Sequence, residues 1–234
     1  MTKGWKAVGV TRWREAQEHE REFWRTWRRL MPYRHLDFAK HWAGERVRFG
    51  LPDDFFRDRI VLEVGSGPVG MIHFIPEAAL RIRLDVLMCD FPDKLDLPEP
   101  GLSVAATGER LPLASKAIDI AICFNALDHM QDPRAALEEL ARVLRPGGTL
   151  MLNVHTFPSW VKPLLTVDRT HPHHWTHAEF VGQVSDFLHV VAAREERHIF
   201  DIPWREHLRP SCWKYLAASF VLATTFVTAQ RVRD

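Results

Sequence analysis

The spacing of apolar residues changes around Arg59. Before it, Trp13, Ala16, Phe23, Trp24, Trp27 and Leu30 recur at helical intervals. They predict a helix from Thr11 to Leu30, with Thr11 as its N-cap. Tyr33, Phe38, Trp42 and Phe49 continue an aromatic helical region up to Pro52. After Arg59 the apolar residues gather into short runs bounded by turn residues. Ile60 to Val64, Arg81 to Asp85, Leu102 to Ala106, Ala117 to Phe124 and Thr149 to Val154 read as five strands. Val69 to Leu80 reads as the first intervening helix. Asp132-Pro133 opens another, with Asp as N-cap and Pro at the first helical position. Leu137, Leu140, Ala141 and Leu144 form its apolar face, and Pro146-Gly147-Gly148 stops it. Thr176 and Glu179 have capping-box spacing ahead of Phe180, Val181 and Val184. His189 to His198 and Ala218 to Val232 read as two long late strands. Strands alternating with helices imply an α/β fold: a parallel sheet with helices on both faces. The expected organisation is a helical extension over residues 1–58, then one α/β domain over 59–234.

Composition narrows the function classes. The 31 basic and 30 acidic residues nearly balance, so no global field favours nucleic acid or an anionic membrane. Arginines between Arg12 and Arg34 are interleaved with Glu15, Glu18, Glu20 and Glu22, the pattern of a solvated, ion-paired helix face. No apolar run approaches the roughly 18 residues of a membrane span. The opening Met1-Thr2-Lys3-Gly4-Trp5-Lys6 has no apolar signal-peptide core. Cys89, Cys123 and Cys212 have no pairing pattern or zinc spacing, so a cytoplasmic setting is expected.

The chemistry concentrates in Val61-Leu62-Glu63-Val64-Gly65-Ser66-Gly67-Pro68-Val69-Gly70. An apolar strand ending in Gly-x-Gly lets the backbone turn tightly and approach a ligand without Cβ interference. Gly65, Gly67 and Gly70 satisfy the dinucleotide fingerprint. Glu63, however, is expected to point into the crevice at the strand's carboxyl end, where it would repel a pyrophosphate and accept an ammonium group. Asp85 ends the second strand twenty residues after Gly65 and can accept both hydroxyl hydrogens of a ribose; Asp90 is the competing carboxylate.

These residues resemble motif I and motif II of the class I S-adenosylmethionine (SAM) methyltransferases. Leu84-Asp85-Val86-Leu87-Met88 resembles the acidic strand end followed by apolar residues against the adenine. Gly108-Glu109-Arg110-Leu111-Pro112-Leu113 and the strand ending at Asn125 resemble the next family block. Many relatives place an aspartate where Thr107 stands here, so the adenine contact shifts to Gly108 and Glu109. Arg142-Val143-Leu144-Arg145-Pro146-Gly147-Gly148 resembles the helix-to-strand turn of small-molecule, ubiquinone-biosynthesis-like members. The resemblance runs from about Arg59 to Val154 and implies a Rossmann-like seven-stranded sheet, parallel except for its last strand. It implies SAM as cofactor: Glu63, Gly65, Ser66, Gly67 and Asn125 at the methionine end, Asp85 on the ribose, and Val86, Leu87, Gly108, Glu109 and Arg110 around the adenine. The expected acceptor is a small molecule.

Catalytic candidates are histidines. In relatives, the loop from Asn125 to Met130 lines the methionine end and faces the acceptor, which makes His129 a candidate base; capping of the next helix is the alternative. His171-Pro172-His173-His174-Trp175-Thr176-His177 should pass over the same end of the sheet, with His171 and His174 as substrate-facing candidates. His173 and His177 have i, i+4 metal-pair spacing, with Asp168 and Glu179 as possible carboxylates, but Thr176 as N-cap puts His173 outside the helix. No metal is expected. The N-terminal aromatics and the histidine loop are together expected to close the acceptor pocket, with Arg21 or Arg25 holding any anionic group. Two rivals stand beside this reading. One is a nicotinamide-dependent oxidoreductase, opposed by Glu63 and the Arg-Pro-Gly-Gly turn; the other is a methyltransferase-like partner protein without catalysis.

Overall fold

The computed structural model describes residues 6–30, 38–91, 97–167, 170–197 and 221–232. Its strands are β1 (Ile60–Val64), β2 (Leu80–Asp85), β3 (Leu102–Ala105), β4 (Ile118–Phe124), β5 (Leu144–Thr156), β6 (His189–Arg197) and β7 (Ala223–Gln230). They form one seven-stranded sheet in the order β3-β2-β1-β4-β5-β7-β6. The pairs β1 with β2, β1 with β4, β2 with β3 and β4 with β5 are parallel. β7 runs antiparallel to both of its neighbours. The expected mixed sheet is therefore present. Asp168, His198, Cys212 and the first residues of the expected last strand lie outside the described residues.

The sheet's inner strands alternate between two apolar layers. Leu62, Val64, Ala121, Cys123, Leu150 and Leu152 face one core, shared with Leu137, Leu140 and Val143 of helix α3 (Pro133–Val143) and Phe180 and Val184 of α4 (His177–Ser185). Val61, Ile120, Ile122, Phe124 and Met151 face the other, packed against Phe56, Met71, Ile72 and Ile75. Trp42 of helix α2 (Phe38–Arg48) and Phe49 cover that second core. Burial on both faces explains why β4 reads as a nearly continuous apolar run rather than an alternating one.

Local signals behave as chemistry dictates. The Asp132 carboxylate accepts from Arg134 N and Ala135 N at 3.1 and 3.2 Å, capping α3. Thr176 and Glu179 form the reciprocal capping box at the start of α4. Asp119 accepts from Ile60 N at 2.8 Å and pairs with Arg145, tying the start of β1 to the start of β5. Helix α1 (Val10–Leu30) begins one residue ahead of expectation. Gly9 O accepts the Trp13 N–H at 3.0 Å, so Gly9, not Thr11, occupies the capping position.

The expected helix from Val69 to Leu80 does not form. Only a short 3₁₀ turn, Met71–Phe74, follows the glycine loop, and β2 already starts at Leu80. Pro76 accounts for this: it lacks an N–H and pushes Ile75 out of the helical region, to φ −125° and ψ 59°.

Candidate active site

β1 is flanked by β2 on one side and β4 on the other, so the direction of sheet winding reverses there. The crevice at such a reversal is where open α/β sheets bind ligands. A cavity of about 440 Å³ opens at this point. Its floor is the loop after β1 (Gly65, Ser66, Gly67), the end of β2 (Asp85, Val86, Leu87), Thr107-Gly108-Glu109, and Asn125 with Ala126 after β4. Gly65 has φ +70° and Gly67 φ +54°, a backbone region that favours glycine. A Cβ on Gly65 would collide with Ala126, and one on Gly67 would press on the Trp24 indole at 3.0 Å. Asn125 itself sits at φ 48°, a strained position for a residue with a side chain, at the mouth of the cavity.

Asp85 is 9% exposed and faces this floor. Its Oδ2 accepts from Gly67 N at 3.0 Å and its Oδ1 from Leu87 N at 2.8 Å. Burial raises its pKa above the ordinary carboxylate range, against these two hydrogen bonds. Each oxygen retains a lone pair for a further donor. Glu109 also lines the cavity, while its Oε1 accepts from Gln131 N at 2.7 Å and Asp132 N at 3.2 Å. Asp90, the competing carboxylate, is taken by Arg21 Nε at 3.0 Å and does not line the cavity.

Three expected site residues stand elsewhere. Glu63 does not line the cavity. It is 2% exposed, and its two oxygens accept from Met71 N at 3.0 Å and Ile72 N at 2.8 Å. Because no long helix follows the glycine loop, the carboxylate caps the short turn instead of pointing into the crevice. Arg110 is exposed, beyond the cavity wall. His174 packs edge-on against Phe157 at 5.6 Å and is likewise not a lining residue.

The roof comes from the N-terminal region. Trp13, Gln17, Glu20, Phe23 and Trp24 of α1 and Trp42 of α2 line the cavity. The segment is fastened over the crevice: Val8 N donates to Gln131 O at 2.9 Å, Gln17 Nε2 to His129 O at 3.0 Å, and Arg21 pairs with Asp90. Trp42 Nε1 donates to Val69 O at 2.9 Å, and its ring stacks on Phe124. The helices thus pack on the Asn125 and His129 side of the sheet, as the aromatic pattern suggests. Arg21 and Arg25 pair with neighbouring carboxylates and do not line the cavity, so neither is placed to hold an acceptor anion. Gln17 and Glu20 carried no motif signal. Their only sequence mark is helical spacing with Trp13 and Trp24.

His129 and His171 both line the cavity, with ring centroids 4.7 Å apart. Glu20 Oε2 lies 3.9 Å from His129 Nδ1. Asp128 lies behind them, 2% exposed. The i, i+4 histidines do not converge. His173 engages Met130 O at 2.9 Å and stacks on Trp175, and His177 Nδ1 meets Thr225 Oγ1 at 3.0 Å. Glu179 serves Lys162 and the Thr176 cap.

Comparison with known proteins agrees with this geometry. Residues 62–152 match the family model described as methyltransferase domain. That stretch, which carries the glycine loop after β1, is similar to a methyltransferase domain. An uncharacterized methyltransferase of Mycobacterium leprae is 31% identical over 108 residues, which are 45% of this chain and 39% of that protein. One of Mycobacterium tuberculosis is 34% identical over 114 residues, 45% of each. The chain thus spans less than half the length of these relatives. Among solved structures, a methyltransferase in complex with the Haloferax volcanii Trm112 activator has a TM-score of 0.64 at 21% identity, covering 91% of this chain and 96% of that one. A geranyl diphosphate C-methyltransferase from Streptomyces coelicolor, solved with S-adenosyl-L-homocysteine (SAH), has a TM-score of 0.60 at 14% identity, covering 75% and 71%. These likenesses show the fold. No helix of the described residues is long and apolar enough to cross a membrane.

Proposed function

We propose that the protein transfers a methyl group from SAM to a small-molecule acceptor with a flat, apolar part. The observation that carries this reading is one cavity with a polar, glycine-lined floor and an aromatic roof. The floor is the glycine loop and Asp85; the roof is made by Trp13, Phe23, Trp24 and Trp42. A volume of about 440 Å³ falls in the range of small-molecule sites, which pair apolar walls with a few polar groups.

The residues present fit the cofactor. Gly65 and Gly67 line the cavity in a positive-φ turn packed so closely on Ala126 and Trp24 that neither has room for a Cβ, at the position expected for the methionine part. Asp85 offers acceptors to ribose hydroxyls. Val86 and Leu87, with Gly108 and Glu109 opposite, form an adenine slot, and Asn125 stands at the methionine end. When bound, SAM supplies an electrophilic methyl group on a sulfonium.

The chain's own part is alignment. α1 roofs the cavity and excludes water, the indoles orient a flat acceptor, and His129 and His171 face it. Positioning of this kind can supply several kcal/mol of barrier lowering without a strong base.

The test uses two measurements. Calorimetry should show SAH binding with one site. Incubation with methyl-labelled SAM and a low-molecular-weight metabolite fraction should place label in a small molecule. SAH binding with label appearing only in macromolecules would overturn the acceptor class. Failure to bind SAH would overturn the whole reading.

A further inference from the structure

Asp128, His129 and His171 each offer one donor atom to a group whose members all lie within 4.8 Å of one another. A second, independent feature marks this cluster. Asp128 is 2% exposed, and its Oδ1 has no hydrogen-bond partner among the described residues. His129 Nδ1 is also buried without a hydrogen-bond partner, 3.9 Å from Glu20 Oε2. Leaving a buried carboxylate oxygen unpaired is costly, so native proteins seldom keep one without a use.

We infer that Asp128, His129 and His171 form a divalent transition-metal site in the wall of the cavity, with Glu20 as an additional oxygen ligand from α1. The inference rests on the cavity being the acceptor site proposed above. Two imidazoles and one carboxylate form a donor set that suits zinc-class ions and leaves coordination positions open. Asp128 and Glu20 together balance a dication. Metal bonds of about 2.0–2.2 Å put donors about 3–4 Å apart, so the cluster contracts by about an ångström on binding. His129 and His171 line the cavity while Asp128 lies behind them, so the open positions face the acceptor space. The ligand such an ion would take there is an oxygen of the acceptor, a hydroxyl or a carbonyl. The ion would hold that oxygen at the wall, opposite the floor formed by the glycine loop.

Cobalt tests this directly. The untagged full chain is stripped with chelator and titrated with Co²⁺ while visible absorption is followed. One equivalent should produce ligand-field bands of a nitrogen- and oxygen-ligated ion, displaced stoichiometrically by Zn²⁺. His171→Ala and Asp128→Asn should each weaken binding by at least about 100-fold, more than typical losses from a ligand's supporting partners. His171 lies on a half-buried loop, so its variant remains informative if Asp128→Asn fails to fold by circular dichroism. No ligand-field bands, or equal Co²⁺ affinity in wild type and His171→Ala, would overturn the inference. SAH binding is measured on the same metal-free protein. SAH bound without cobalt sinks the metal site alone, whereas cobalt bound without SAH sinks the methyltransferase reading.

Discussion

Glu63 makes the protein's stability depend on pH in a direction opposite to that of a salt-bridged carboxylate. The side chain is 2% exposed, and burial raises its pKa from 4.5 to about 7. The hydrogen bonds from Ile72 N and Met71 N oppose that rise but do not cancel it; the nearby Asp85 charge adds to it. The folded protein therefore holds the Glu63 proton more tightly than the unfolded chain. This contribution is fully present below pH 4.5, is lost as pH rises toward 7, and is constant above that. At about 1.36 kcal/mol per pH unit, the loss is about 3 kcal/mol. Glu63→Gln removes the titration. Its amide oxygen can accept from only one of the two N–H groups, so the variant carries a fixed, pH-independent cost. Asp85 is raised in the same direction by burial and is present in both proteins. The assay is urea unfolding of both proteins from pH 4.5 to 8. Wild-type stability should fall relative to Glu63→Gln by about 3 kcal/mol across that range. A flat difference, or one of opposite sign, would falsify the claim that desolvation outweighs the two hydrogen bonds. The carboxyl carbon chemical shift of Glu63 should titrate with a midpoint near 7.

Other outcomes follow from the same geometry. Asp85→Ala should weaken SAH binding by roughly 2–4 kcal/mol, because it removes charged acceptors from the ribose and frees the Gly67 and Leu87 N–H groups; calorimetry reads this, and unchanged affinity would take Asp85 out of the site. Gly67→Val should abolish SAH binding with the fold retained by circular dichroism, since its side chain meets Trp24 in a left-handed backbone; normal binding would refute the role of the glycine loop. Gly70→Ala should lower unfolding stability by about 1–3 kcal/mol, because the added Cβ collides with the Glu63 carboxylate. Trp13→Ala should reduce methyl transfer while SAH affinity stays within about threefold, equivalent to less than 1 kcal/mol; equal losses in both would move Trp13 to the cofactor end.

Pattern alone determined most of the sheet. β1, β4 and the capped α3 are local features: apolar runs bounded by glycine, or Asp-Pro followed by leucines at helical spacing. Their chemistry suffices wherever the chain goes next. Gly65 and Gly67 were legible for a similar reason, since a strand running into a positive-φ turn is written in adjacent residues. The helix expected after Gly70 failed against a local signal that was equally present, Pro76. What sequence could not supply was direction. Glu63 sits at the anticipated strand end, yet its carboxylate turns to Met71 and Ile72, the first residues of the short turn that stands where a helix was expected. His129 and His171 lie 42 positions apart, and nothing in their spacing announces rings 4.7 Å from each other. Gln17 and Glu20 look like ordinary solvated helix positions until α1 is laid across the crevice. Strand and cap identity follow from interactions within a few residues. The roof, the histidine pair and the buried Asp128 depend on contacts between segments far apart in the chain, which the packing of the N-terminal helices over the sheet decides.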